Sequence, residues 1–302
     1  MSQKARDILL TGGTGFLARE MMPELLNLGK VKTLGLTPDA DIQADITDPD
    51  MTISDPFDWV IHAAGKAHIV PRTKEEEDSF FAVNEQGTKA LCSALERVGV
   101  PEFFVFISTV AVYGSIPAAQ LTEEQQPMPD TAYGQSKWNA EQFLNDWSSK
   151  NKVRLGILRL PLIAGSNPPG NLGDMIKAMR SGKYLSINKG QAKRSCVLAR
   201  DIPSVLPSLF ANPGTYHLKH LPDASFHDFE TSICQKFPDA KSRGDLPLWL
   251  ASLIAFFGGW IPGFPLTKAR LGKMTESFTV SDEKARRELE WKAQWNPNEI
   301  PL

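Results

Sequence analysis

Short apolar runs alternate with helix-like stretches through the first half of the chain. Residues 7–11 (DILLT) read as a strand, and residues 16–28 carry the 3.6-residue periodicity of a helix. Residues 31–36 are strand-like again, and residues 58–62 (DWVIH) form a third apolar run. Residues 74–98 predict one long helix, opened by the acidic run EEED, where negative charge favours a helix N-terminus. Residues 103–108 (FFVFIS) are continuously apolar, as in a parallel strand covered on both faces. A helix over 131–150 and a strand over 153–160 complete the series. Strands alternating with helices predict an α/β chain with a doubly wound parallel sheet.

After Pro161 the texture changes. The segment AGSNPPGNLGD is dense in Gly, Pro and Asn and reads as a loop. A smaller C-terminal substrate lobe is expected from about residue 166. Residues near 195–220 are expected to rejoin the main sheet, with GTYHL as one more strand. The predicted division is therefore 1–165 plus about 195–220 for the sheet domain, and 166–194 plus 221–302 for the lobe.

The chain has 302 residues and a net charge of −2, which gives no general attraction to nucleic acid or to anionic membranes. Its three cysteines, Cys92, Cys196 and Cys234, are odd in number and widely spaced, as in a reducing compartment. The N-terminus passes from a short polar lead into a strand pattern with no signal-peptide profile, so a cytoplasmic location is expected. Residues 247–267 carry no charge, but five glycines and prolines from Gly258 onward leave a helix-compatible run only over about 248–257. That run is too short for a membrane span and is expected to be a helix of the lobe, in preference to a membrane-surface anchor. The histidines His217, His220 and His227 lack partners at metal-ligand spacing, and no metal is expected. No G-x-S-x-G nucleophile elbow and no G-x-x-x-x-G-K-[ST] loop occurs.

The first strand runs into Thr11-Gly-Gly-Thr-Gly-Phe-Leu-Ala18. Gly12 allows a tight turn, Gly15 lets a backbone approach a pyrophosphate, and Ala18 is small enough for close helix–strand packing. The following helix N-terminus suits an anion. A glycine turn without a ligand would look the same in isolation; its place between the first strand and first helix of the series favours a dinucleotide. The acidic residue that would hold an adenosine ribose is missing: Leu36 and Thr37 stand there, and Asp39 and Asp41 come later. No arginine awaits a 2′-phosphate either, so NAD and NADP both stay open.

Tyr133 and Lys137 are four apart at the start of a predicted helix and share one face. An ammonium beside a phenol favours the phenolate and should lower its pKa, preparing Tyr133 for proton exchange with an alcohol or ketone. Any helix can carry such a pair by chance. Its position one βα unit after the strand ending in Ser108-Thr109 puts it at a carboxyl edge, where ligands bind, with the Thr109 hydroxyl beside it.

Taken together these residues resemble the extended short-chain dehydrogenase/reductases, the NAD-dependent epimerase/dehydratase family with a Rossmann sheet. TGGTGFLA resembles its TGxxGxxG/A loop, implying cofactor contacts from Gly12, Thr14, Gly15, Phe16 and Leu17. HAAG resembles the fourth-strand end beside the cofactor, through His62, Ala63, Ala64 and Gly65. N-E-Q-G-T resembles the helix start that brings Asn84, and Asp45 and Ile46 are implied as further cofactor contacts. ISTVAVYG and YGQSKWNAE resemble the segments bearing the catalytic Thr109, Tyr133 and Lys137, the last two also touching the cofactor. RLPLIAG resembles the strand end flanking the nicotinamide, with Pro161 and Ile163. SDEKARRELEW resembles the tail pattern K-A-R-x-x-L-G-W, with Glu290 replacing Gly.

Within the family the chain is most similar to nucleotide-sugar 4-epimerases and 4-keto-sugar reductases. The resemblance implies a UDP- or dTDP-sugar substrate contacted by His68, Thr109 and Asn171, with Arg194 and Arg270 on its diphosphate. For both arginines a solvated surface position is the competing reading, and for His68 a core or surface histidine. A homodimer through the Tyr133 helix is also implied. Reduction of a 4-keto hexose and 4-epimerisation share the first chemical step and are not separable from these residues. Two alternatives are a ketone reductase for a sterol- or flavonoid-like substrate, using the 248–257 run, and a non-catalytic dinucleotide sensor.

Overall fold

The computed structural model describes residues 6–115, 118–258, 268–296 and 300–302. The first half runs β1 (Arg6–Thr11), α1 (Phe16–Leu28), β2 (Gly29–Gly35), β3 (Ile42–Gln43), β4 (Trp59–His62), α2 (Lys74–Phe80), a π-helical turn (Phe81–Gln86), α3 (Gly87–Val98), β5 (Phe103–Thr109), a 3₁₀ turn (Val110–Tyr113), β6 (Ala118–Leu121), α4 (Ala132–Asn151), β7 (Arg154–Leu160) and β8 (Leu162–Ala164). The second half runs α5 (Gly170–Arg180), β9 (Ser186–Ile187), β10 (Lys193–Arg194), β11 (Cys196–Leu198), α6 (Leu206–Ala211), β12 (Gly214–Tyr216), β13 (Ala224–Ser225), α7 (Phe226–Lys236), β14 (Asp245–Leu246), α8 (Leu248–Gly258), α9 (Lys268–Thr275), β15 (Phe278–Val280) and α10 (Glu283–Glu288).

Seven strands form the main sheet in the order β12-β7-β5-β4-β1-β2-β3, every neighbouring pair parallel. This is the Rossmann-like, doubly wound α/β arrangement, and the strand order reverses between β1 and β4, the crevice where such sheets take their ligands. Alternate residues feed two apolar layers. Ile8, Leu10, Trp59, Ile61, Phe103 and Val105 pack towards α1 and residues 202–209, whereas Leu9, Val60, Phe104 and Phe106 pack towards α3 and α4. All seven residues of β5 are buried, which is why its sequence shows no polar alternation. β12 joins the sheet beside β7, where the GTYHL strand was expected.

A second sheet has the order β13-β10-β15-β6. It draws β6 from within the first 165 residues, while Ala285, Leu289 and Trp291 from the tail pack into the main core.

The long helix over 74–98 forms, with a π-helical turn inside it where Asn84 is buried. Two local expectations are corrected. The loop after Pro161 is shorter than its composition implied: GNLGD is the first turn of α5, with Gly170 at φ 66°. The apolar helix forms as α8, but it is inverted. Its small residues Ala251, Ala255 and Gly258 face inward, while Trp249, Leu253, Phe256 and Phe257 lie outside.

Candidate active site

The glycine turn after β1 is fixed by steric necessity. Gly12 has φ 71°, and a Cβ there would stand 2.9 Å from the Ala64 backbone, so the turn and the HAAG segment meet without side chains between them. A Cβ on Gly13 would stand 2.3 Å from the Thr33 side chain, a constraint the sequence reading overlooked. Gly15 supplies the N-cap of α1 without a capping side chain, and the first turn of α1 holds no acidic residue. Its N–H groups, with those near Thr14, Phe16 and Leu17, therefore suit a phosphate anion. Ala18 is buried against the sheet, as close packing requires. The far wall is near: a Cβ on Gly165, just past Ile163 and Pro161, would stand 3.1 Å from the Phe16 ring.

Below the turn lies a buried polar chain. The Ala64 N–H donates to Thr11 Oγ1 at 3.0 Å, and Thr11 Oγ1 lies 2.7 Å from His62 Nδ1. His62 Nε2 lies 2.9 Å from Thr88 Oγ1, which donates to the Asn84 carbonyl at 2.7 Å. Thr88 gives its proton to the Asn84 carbonyl, so His62 donates through Nε2; the neutral ring then accepts at Nδ1 from Thr11. Burial, with the Lys137 charge beside it, pushes its pKa down to about 3. His62 was expected at the cofactor; both its ring nitrogens are instead occupied in clasping β1, β4 and α3 together. Ala63, Ala64 and Gly65 carry the exposed side of that strand end.

Asn84 is buried and fully used. Its Oδ1 accepts from the Lys66 N–H at 2.7 Å, and its Nδ2 donates to the Lys66 carbonyl and to Ser136 Oγ, both at 3.0 Å. Ser136 sits between Tyr133 and Lys137, so the π-helical turn is tied to α4. Gly65 lies in the same cluster: a Cβ there would stand 3.1 Å from Asn84 Oδ1 and 3.2 Å from Lys137 Nζ.

Helix α4 begins with Thr131 as N-cap, its hydroxyl accepting from the Gly134 N–H at 3.1 Å. The helix then runs so close to the turn after β5 that a Cβ on Gly134 would lie 2.5 Å from the Ala111 carbonyl oxygen. This contact sets Tyr133 beside the end of β5, where the Thr109 side chain acts on its phenol. Lys137 Nζ donates to the Ile107 carbonyl at 2.8 Å and lies 4.4 Å from the Phe106 ring centre. Thr109 and Tyr133 thus adjoin at the end of β5, and Lys137 is bonded to the same strand two residues before Thr109.

Their electrostatics differ from expectation. Burial raises the Tyr133 phenol above its ordinary value, and the Thr109 hydrogen bond only partly offsets this. The sequence reading had the ammonium lowering it. Lys137 is itself so well buried that its pKa falls to about 8, with Glu141 opposing the fall.

Behind Lys137 lies a group of residues that sequence reasoning quoted within motifs but gave no role. Arg159 and Glu141 form a buried ion pair at 2.7 Å, and Ser108 also donates to Glu141. Arg159 continues to Tyr113 Oη at 2.8 Å, which lies 2.8 Å from His217 Nε2. The spacing of Glu141, one further turn after Lys137, was the available signal.

The remaining candidates sit on the lobe side or at the sheet rim. His68, at φ 63°, packs against the start of α5, where a Cβ on Gly170 would lie 2.2 Å from its Nδ1; Asn171 is the next residue and is exposed. Asp45 is exposed and accepts from the Thr47 N–H and hydroxyl, and Ile46 is buried against Gly87. Asp41, one of the acids near the end of β2, accepts from the Thr33 N–H and hydroxyl at 2.8 Å and is committed to the β2–β3 turn. Arg194 donates to the carbonyls of Lys193, Lys273 and Glu276, tying β10 to the end of α9. Position 270 lies within that same helix. Among the described residues no His/Cys/Asp/Glu cluster is arranged to hold a metal.

The chain was compared with known proteins. It is 27% identical over 252 residues to N-acetyl-alpha-D-glucosaminyl-diphospho-ditrans,octacis-undecaprenol 4-epimerase of Escherichia coli O157:H7, covering 77% of this chain and 74% of that protein. Several other curated relatives, UDP-glucose and UDP-arabinose 4-epimerases, are spanned over only 33 to 56% of their own length. Among solved structures, a Thermus thermophilus UDP-glucose 4-epimerase complexed with NAD has a TM-score of 0.73 at 18% identity, covering 97% of this chain and 96% of that one. RMD from Pseudomonas aeruginosa complexed with NADPH has a TM-score of 0.71 at 18% identity, covering 98% and 96%. Both structural likenesses are likenesses of fold. The model of the NAD dependent epimerase/dehydratase family matches residues 8–214, well over half of the chain, and this protein belongs to that family.

Proposed function

We propose that the protein is a nicotinamide-dependent enzyme acting at C4 of a diphosphate-linked sugar, by 4-epimerisation or by reduction of a 4-ketone. The observation that supports this reading is that Tyr133 and Thr109 adjoin at the end of β5, with the Lys137 ammonium bonded to the Ile107 carbonyl of the same strand. Names of relatives give the substrate class: UDP-sugars for several, and a sugar on undecaprenyl diphosphate for the Escherichia coli protein. Solved neighbours hold NAD or NADPH, and the absence of a free acid at the end of β2 leaves this chain open to either.

A bound nicotinamide would accept or supply the hydride. The chain's own part is to hold the dinucleotide and move the proton. The turn from Gly12 to Leu17 would take the pyrophosphate on backbone N–H groups, with Asp45 and Ile46 near the adenine, and Ala63 to Gly65, Pro161 and Ile163 lining the path. His62 and Asn84 hold that lining in place. Thr109 would orient the reacting oxygen, and Tyr133 would take its proton or return one. Lys137 would hold the nicotinamide ribose and keep positive charge near the phenol. His68 and Asn171 would face the sugar. For Arg194 to reach a diphosphate it must exchange its carbonyl partners for phosphate oxygens; Arg270 is proposed as its companion.

The test is Tyr133→Phe, assayed with UDP-glucose and related UDP-sugars in the presence of NAD or NADPH. Turnover should fall by about 10²–10⁴, while dinucleotide binding by titration stays within about twofold. Near-normal turnover in the variant would refute the proton-transfer role. Epimerisation with no net NADH change separates the first reading from the reductase reading, which consumes reduced cofactor stoichiometrically.

A further inference from the structure

Helix α8 is built inside out for a water-soluble surface. Ala251, Ala255 and Gly258 recur at helical spacing on the inner face and let the helix sit close to the lobe. On the outer face Trp249, Phe256 and Phe257 keep 66, 63 and 66% of their surface exposed, with Leu248 and Leu253 beside them. Phe256 and Phe257 touch edge to face, with ring centres 5.3 Å apart. Contiguous large apolar side chains on a surface mark a site of contact.

Charge identifies the contact. Residues 241–276 contain Lys241, Arg243, Lys268, Arg270 and Lys273 against only Asp245 and Glu276, a formal +3 in a chain whose total is −2. Lys241, Arg243, Lys268 and Lys273 are exposed, and α9, which carries two of them, packs directly on α8. Arg194 anchors the end of α9 through backbone carbonyls, so this cationic flank is fixed to the lobe. An apolar aromatic face bordered by fixed cations complements an anionic bilayer, whose acyl boundary takes the rings and whose head groups take the ammonium groups. A second copy of the chain fits less well, because symmetric pairing of this face would bring two like-charged flanks together. No helix among the described residues is long and apolar enough to cross a membrane, so α8 would lie in the interface plane.

We propose that the outer face of α8, flanked by the cations of α9, docks the protein on anionic phospholipid surfaces. This does not depend on the C4 chemistry, though it would suit a diphosphate-linked substrate held at a membrane. The experiment is flotation of the full chain with vesicles of phosphatidylglycerol and phosphatidylcholine. Partition is expected, and it should weaken markedly near 1 M salt, where the Debye length is about 3 Å. The variant Trp249→Ser/Phe256→Ser/Phe257→Ser should lower the partition coefficient at least about tenfold, since each ring contributes apolar burial. Lys268→Glu/Lys273→Glu should lower it on anionic vesicles. Because these side chains are exposed, far-UV circular dichroism and melting temperature of the variants should match the parent. Failure of the parent to float, or unchanged partition of the triple-serine variant, overturns the proposal. So does sedimentation showing that the triple-serine variant loses an oligomer that the parent forms without binding vesicles, which would assign the face to a second copy.

Discussion

Replacing Lys137 with Met should stabilise the fold while disabling the site. Lys137 is 4% exposed, and burial pulls its pKa from 10.5 down to about 8. At about 1.4 kcal/mol per pH unit, the displacement corresponds to roughly 3 kcal/mol of destabilisation near neutral pH. The folded-state pKa lies below the unfolded one, so between about pH 8 and about pH 10.5 the unfolded chain binds more protons than the folded chain. Stability contributed by this residue therefore rises with pH across that window, and the full penalty stands below it. Methionine fills similar volume without the charge, but it forfeits the bond to the Ile107 carbonyl and the contact with Phe106, together about 1–2 kcal/mol. The variant should gain about 1–2 kcal/mol near pH 7, and that advantage should shrink by about 3 kcal/mol as the pH reaches about 10.5. Urea unfolding of parent and variant across this range measures it. The difference between them is the quantity to follow, because the buried Cys92 and Cys196 thiols and several tyrosines have raised pKa values and lower the stability of both proteins at high pH. A pH-independent difference, or a variant less stable than the parent near neutrality, would refute the claim that the active-site ammonium is held against its desolvation.

Two further outcomes follow from the packing. Glu141→Gln leaves the Arg159 guanidinium buried without its carboxylate partner and should cost about 3–5 kcal/mol, partly recovered by adding Arg159→Met; a single-variant loss under about 1 kcal/mol by urea unfolding would contradict this. Gly134→Ala places a methyl 2.5 Å from the Ala111 carbonyl, so α4 must move; a loss of about 1–3 kcal/mol with a clear fall in turnover is expected, and a variant with both unchanged would show that the close approach is not required.

Much of the candidate site could be read from sequence because the chemistry proposed for it requires those residue types, at spacings that one helix or one turn imposes. Tyr133 and Lys137 share a face at any packing, and Gly12 needs its positive φ wherever the turn goes. The polar clasp could not be read in this way. Thr11, His62 and Thr88 are separated by 51 and 26 residues, and only the parallel register of β1 with β4 brings the first two together. Asp41 is similar: its place after β2 says nothing of a partner, and only the turn gives it Thr33. The direction of the Tyr133 shift also depends on depth, a property of the fold. Attraction from a neighbouring charge can be inferred from spacing, but the larger desolvation term depends on everything packed around the pair.

The same distinction governs α8. Its eleven residues, LWLASLIAFFG, are apolar on every side apart from Ser252, so no periodicity marks an inner and an outer face. Chain composition favours burial of such a segment, and a helix that is apolar all round is ordinarily interior. The structure sorts the residues by size: the three smallest positions of the inner stripe allow close approach to the lobe, and the bulk is displaced outward. A sequence of this kind cannot maximise apolar burial within its own fold, because burying the rings would require the small face to carry them. Among the described residues the outward rings remain exposed apolar surface, and the cations of α9 favour an anionic lipid surface as what meets them.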